Sequence, residues 1–176
     1  MNESSVAPAE LIRFMRRGRQ SREFLPEPVP EEALNDILEV ARWTGSSMNR
    51  QVWRFVVVRD PALRARLGEI AQSARHFGRA PAVIVITMPD ADPIMDAHDE
   101  GRVSERILLA ARAHGLGAGV GWFRPGERAA VRQLLHLEPG VMVRTGIAIG
   151  RPVPRPRRAG ARKPLADLVQ WDDRVG

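Results

Sequence analysis

The stretch Ala41–Val58 reads ARWTGSSMNRQVWRFVVV, and its two flanks belong to different kinds of structure. On the left it completes a run in which Leu34, Ile37, Leu38 and Ala41 recur at helical spacing. On the right, RFVVV is a β-branched strand signal. A helix running directly into a strand implies mixed α and β structure. Between them sit Ser46, Ser47, Asn49 and Gln51, with Trp43 before and Trp53 after. A linker that only joins two elements needs neither the amides and hydroxyls nor the tryptophans.

Working outward, the sequence predicts a first helix over Pro8–Arg17 that stops at Gly18, a residue that ends helices readily. A second begins at Pro30 with acidic residues in its first turn, as the helix dipole favours, and runs to Trp43. Pro61 opens a third helix through ALRARLGEIAQSA, ending at Ala74. AVIVITM (82–88) is apolar throughout and so reads as a central strand. A long helix over Asp96–His114 puts Val103, Ile107, Ala110, Ala111 and His114 on one stripe, which makes His114 a core histidine. A strand at GAGVGWF, a helix at GERAAVRQLL and a strand at VMVRTGIAIG follow. From Arg151 onward Pro152, Pro154 and Pro156 keep the chain out of helix and sheet interior, giving an extended arm. No internal repeat is visible.

Composition narrows the function classes. With 176 residues, 44% hydrophobic and 27% charged, the chain has the balance of one globular domain. It has no apolar run near the about 20 residues of a membrane span, and its polar, acidic start does not read as a secretory signal, so a cytoplasmic protein is expected. There is no cysteine, which excludes disulfides and thiolate chemistry, so redox activity requires a bound cofactor. The net charge of +6 comes almost wholly from arginine, Lys163 being the single lysine. Arginine clusters at RFMRRGRQSR and RPVPRPRRAGARK fit a phosphorylated cofactor as well as a nucleic-acid backbone. Only 5% of residues are aromatic and none is tyrosine, a poor supply for base stacking, so no nucleic-acid partner is expected. In HGLGAGVGW, glycines 115, 117, 119 and 121 alternate after a helix, which is not the spacing or context of a dinucleotide fingerprint. Glycine here serves the close approach of backbone to a flat body, a ring or a packed helix. DAHDE (96–100) precedes the long helix, where its acids act as N-terminal charges. The four histidines are scattered, so no metal site and no catalytic side chain is assigned.

Taken in order, the arginine-rich entry, the PVPEE helix, ARW…S…N.QVW.F.VV, the GLGAG turn and the late RKPL..LV.W resemble the FMN-dependent nitroreductase family, from about Leu11 to Trp171. The resemblance implies an α+β fold with a mixed sheet flanked by helices, built as an obligate intertwined homodimer. It makes residues 1–176 one nitroreductase-like domain with 151–176 as a C-terminal arm. It also implies FMN as cofactor, NADH or NADPH as electron donor, and hydride transfer through flavin N5 to an electron-poor small molecule such as a nitroaromatic or quinone.

By the same resemblance the cofactor-binding residues fall in four places. Arg19, Gln20, Ser21 and Arg22 lie at the phosphate and ring motif, with Gly18 and Gln20 departing from the usual arginine and serine. Planar guanidinium groups bind phosphate oxygens in a fork, which suits the arginines to that task. Ser46, Asn49 and Gln51 lie on a loop that meets flavin from the partner protomer, with Gly45 and Val52 where the family places prolines. Trp43 and Trp53 anchor that loop in the core or an interface. Val120, Gly121 and Trp122 cover a flavin face and offer a backbone amide to N5, and Arg162 and Lys163 reach the phosphate. The four departures leave open a second class, a non-catalytic member that sequesters flavin or another flat ligand, or has lost flavin binding.

Overall fold

A computed structural model describes residues 7–154 and 161–172. Its elements are α1 (Pro8–Arg16), α2 (Glu31–Arg42), β1 (Arg54–Val58), α3 (Pro61–Ile70), β2 (Ala82–Met88), α4 (Pro93–Ala113), β3 (Gly117–Trp122), α5 (Arg128–Leu134) and β4 (Met142–Gly150). Short 3-10 segments at Ser47–Asn49, Gln72–Arg79, Pro125–Glu127 and Leu165–Asp167 complete them. The order of helices and strands is the one the sequence predicts.

The strands form one sheet in the order β1-β2-β4-β3. All three pairings are antiparallel, so the mixed sheet implied by the resemblance is not what the described residues of one chain build. β2 is fully buried because helices cover both of its faces. Ala82, Ile84, Ile86 and Met88 pack with α2 and α4, while Val83 and Val85 pack with α3, the 72–79 segment and α5. This three-layer arrangement explains an apolar run without alternation.

β4 changes phase within its length. Ile147 and Ile149 face α2 and α4, but Val143 lies in the opposite core. The cause is a bulge: Ile86 pairs with Thr145 and Thr87 with Val143, leaving Arg144 unmatched. Such an extra residue re-aims the side chains beside it.

Two helix boundaries differ from expectation. The third helix ends at Ile70 rather than Ala74, because Ala71 leaves helical geometry and the chain continues as the 72–79 segment folded back on α3. Gly68 permits that return, since a Cβ there would meet the Gly78 backbone nitrogen at 2.9 Å. The long helix starts at Pro93 rather than Asp96, with the Asp92 side chain accepting from the Met95 amide as N-cap. Asp99 and Glu100 therefore lie inside α4 rather than ahead of it as terminal charges, while Asp96 keeps a first-turn place and accepts from Asp92 N at 3.4 Å; all three are buried. His114 is likewise not a core residue; it follows α4 at the surface and lies 3.1 Å from Asp36 Oδ2. Trp53 is buried in the core, whereas Trp43 is 71% exposed and donates its indole N–H to Glu39. Of the arm prolines, Pro152 and Pro154 are described, and Pro156 lies outside the described residues.

Candidate functional site

β3 is an edge strand, so half of its backbone groups must find partners other than β4. Phe123 N donates to Arg144 O, which turns the odd residues toward β4 and the even ones outward. The chain supplies partners at this edge from two directions. Ser21 N donates to Ala118 O at 2.8 Å, and Val120 N donates to Gln20 Oε1 at 3.1 Å. From the 72–79 segment, Ser73 Oγ donates to Trp122 O at 3.0 Å. His76 Nε2 lies 3.3 Å from Gly119 O. A carbonyl only accepts, so Nε2 carries the proton. Burial holds the His76 imidazole below its usual pKa, and the neighbouring Arg22 charge adds to the effect, while the bond to Gly119 opposes it.

The alternating glycines now have a physical cause. A Cβ at Gly121 would overlap Ala74 and Phe77, and one at Gly119 would overlap the Ser21 carbonyl. What β3 approaches on its glycine face is its own chain, the 72–79 segment at Gly121 and Ser21 at Gly117 and Gly119. The opposite face carries Val120 and Trp122, and there a cavity of about 250 Å³ opens between β3, β4 and α4. Gln20, Val120, Trp122, Ser104, Glu100 and Arg144 line it. Trp122 is 57% exposed, a flat apolar wall beside open space. Its outward N–H, one residue pair beyond the amide that Gln20 occupies, points to the strand's open edge.

Arg144, delivered by the bulge, donates from Nε to Glu100 Oε2 at 2.9 Å and from Nη1 to Pro93 O at 3.4 Å. Its Nη2 is buried without a hydrogen-bond partner among the described residues. Burial raises the Glu100 carboxyl above its ordinary value, opposed by the Thr145 hydroxyl and by Arg144. Arg144 does not stand out in the sequence, because a bulge leaves no local signature in VMVRTG.

Arg19 and Arg22 are exposed, and neither has a carboxylate partner in an ion pair among the described residues. The structure thus brings together Arg19, Gln20, Ser21 and Arg22 with Val120, Gly121 and Trp122. It does not bring the other two groups to them. Ser46 Oγ accepts from Gln51 N at 2.9 Å, and Gln51 Nε2 donates to Asn49 O at 3.4 Å, so these side chains first organise their own loop. That loop leans on α4, with Ser47 N donating to Asp99 and Arg50 bonded to Asp96. Arg162 and Lys163 are exposed on the arm, and no hydrogen bond or ion pair among the described residues carries them to the β3 edge.

Comparison with known proteins bears on what such an edge resembles. Residues 15–74, which hold both the 19–22 segment and the 46–51 loop, match the model of the Nitroreductase family. Over that segment the chain is similar to the nitroreductase family. A relative from Archaeoglobus fulgidus, whose name joins NADH dehydrogenase with NAD(P)H nitroreductase, is 29% identical over 174 residues, covering 94% of this chain and 92% of that one. An FMN reductase [NAD(P)H] of Bacillus subtilis is 28% identical over 178 residues, covering 88% and 69%. Among solved structures, an FMN-dependent nitroreductase from Clostridium difficile superposes with a TM-score of 0.84 at 22% identity over 92% of this chain and 98% of that one. Identity at that level establishes the shared fold alone. The fold shared with that structure covers 92% of the chain, well beyond the matched 15–74 segment.

Proposed function

We propose that this protein is an FMN-dependent oxidoreductase that takes hydride from NADH or NADPH and passes it to an electron-poor acceptor such as a nitroaromatic or quinone. The observation that carries this reading is the β3 edge. Gln20 takes the Val120 amide and leaves the Trp122 amide outward beside a cavity, with the exposed Arg19 and Arg22 in the adjoining segment. These donors fit FMN, whose phosphate is an anion and whose ring edge accepts hydrogen bonds. Arg19 and Arg22 would hold the phosphate, and Trp122 would lie against the ring. The bound flavin would supply the hydride-accepting and hydride-donating centre. The chain supplies the rest. A preplaced backbone donor stabilises charge where it develops without reorganising, and the Arg144–Glu100 pair forms a fixed polar wall of the cavity.

A second copy of the chain is part of the proposal. The cavity of about 250 Å³ is smaller than the roughly 300–1,000 Å³ of ligand sites, so one chain supplies only part of a flavin pocket. α1 has no buried residue and leaves Leu11, Ile12 and Met15 about half exposed. Trp43, Met48, Leu165, Leu168 and Trp171 are also exposed. A partner copy would cover such exposed apolar side chains. That copy would bring Ser46 and Asn49 to the flavin, and the arm would bring Arg162 and Lys163. The test is titration with FMN followed by turnover of NADH or NADPH with a nitroaromatic. Saturable flavin binding with acceptor-dependent oxidation is expected. Binding without turnover would favour the sequestering class, and no binding would overturn both.

A further inference from the structure

The 46–51 loop adopts a conformation that its own sequence does not favour. Met48, Asn49 and Gln51 have φ of 51°, 55° and 47°, the left-handed region in which non-glycine residues are costly. Asparagine tolerates that region; methionine and glutamine do not gain from it. The bonds inside the loop, Ser46 Oγ to Gln51 N and Gln51 to Asn49 O, are few for three such residues. The remaining hold comes from α4. Asp99, fully buried, accepts from Ser47 N at 3.0 Å through one carboxylate oxygen and at 3.2 Å through the other. Arg50, at the loop's far side, reaches Asp96 at 3.0 Å and Asp99 at 3.7 Å. Arg102 lies 3.7 Å from Asp99, and it occupies the space over Gly45, where a Cβ would meet its Nη2 at 2.8 Å. His98 stands 3.6 Å from the same carboxylate.

We propose that Asp99, with Asp96, is the positioning residue of the 46–51 loop, holding Ser46 and Asn49 in their ligand-presenting pose through Ser47 and Arg50. Stiffness that proline at 45 and 52 would build into the loop is supplied here from the neighbouring helix. Gly45 is then not a weakness, because it makes the room that Arg102 needs beside Asp99. The functional part of this inference rests on the flavin reading above, since it assigns the loop to flavin.

The test pairs two readouts on the full chain. Asp99→Asn keeps the side chain's size and removes its charge; Arg50→Gln removes the loop-side member and leaves α4 intact. In either variant, hydrogen exchange in the 45–52 peptide accelerates by about tenfold or more, while β2 and β4 keep their protection. FMN Kd rises about tenfold, and kcat at saturating FMN stays within about twofold of the wild type, the split expected when pose rather than chemistry is lost. Asp99→Glu restores part of the protection. Unchanged exchange in 45–52 in both variants would overturn the clamp. Faster exchange with unchanged FMN Kd would overturn its role in flavin binding. If the wild type binds no FMN, the flavin reading fails and the exchange comparison still decides whether Asp99 holds the loop. Should Asp99→Asn not fold, Arg50→Gln carries both readouts.

Discussion

Replacing Gly119 by alanine tests the way the β3 edge is built. A Cβ at that position would fall well inside contact distance of the Ser21 carbonyl oxygen, with Ser21 C at 3.2 Å and His76 Nε2 at 3.4 Å. The first obstacle is backbone, so no side-chain rotation relieves it. The 20–21 segment must lift away from the strand, and the bonds from Ser21 N to Ala118 O and from Val120 N to Gln20 Oε1 stretch with it. Two hydrogen bonds at about 1 kcal/mol each, with overpacking strain of about 1 kcal/mol or more, give a loss of roughly 2–4 kcal/mol. For a chain of this size that is a fall in Tm of about 5–15 °C, read by circular dichroism. Because the same movement displaces Arg19, Gln20 and Arg22, FMN should also bind more weakly in a fluorescence titration. Gly126→Ala is the control, since nothing lies within 4 Å of a Cβ there, and its Tm should move by little more than the scatter of surface substitutions. A Gly119→Ala protein with wild-type Tm and wild-type FMN affinity would refute the packed-edge account.

His76 should leave a mark on stability against pH. Its folded pKa lies below the ordinary 6.5, so as pH falls through 6.5 toward the lowered value the unfolded chain takes up a proton that the folded one does not, and stability is lost. Tm measured from about pH 7 to pH 5 should therefore fall more steeply for wild type than for His76→Gln; equal slopes would sink the assignment. Glu100 has the opposite sign: its folded pKa is raised, so its contribution declines as pH rises above 4.5 through the raised value. At neutral pH, Glu100→Gln or Arg144→Met alone leaves one buried charge unmatched and should cost about 3–5 kcal/mol, while the double variant costs less than the sum of the two in denaturant unfolding. Gln20→Ala should free the Val120 amide and weaken FMN binding, with a stability change under about 1 kcal/mol because the side chain is exposed; unchanged FMN affinity would count against the clamp on Val120.

What could be read from the sequence followed periodicity and composition. The α2 stripe through Leu34, Ile37 and Ala41 and the unbroken apolar run of β2 each have a single physical solution, and both elements form where expected. The glycine alternation at 117–121 announced a close approach without naming what approaches, because Ser21, Ala74 and Phe77 come from distant segments. DAHDE misled for Asp99 and Glu100 because the N-cap is Asp92, which leaves only Asp96 in the first turn and carries Asp99 inward to meet the loop. Arg144 was invisible as a site residue, since its direction depends on a one-residue mismatch between β2 and β4 that only pairing reveals. Ser46, Asn49 and Gln51 were picked out by type, yet their bonds in one chain are local ones. On the proposed reading, a second copy would bring them to the ligand.

The central claim is that flavin bound at the β3 edge accepts hydride from a nicotinamide. Anaerobic addition of NADH or NADPH to the protein saturated with FMN tests it most directly, with the visible absorption of oxidised flavin as the readout. The account predicts that the band bleaches on donor addition and returns when a quinone or nitroaromatic is supplied, with bleaching weakened in Gly119→Ala. A flavin band that forms on binding and then persists in excess of both donors would contradict it.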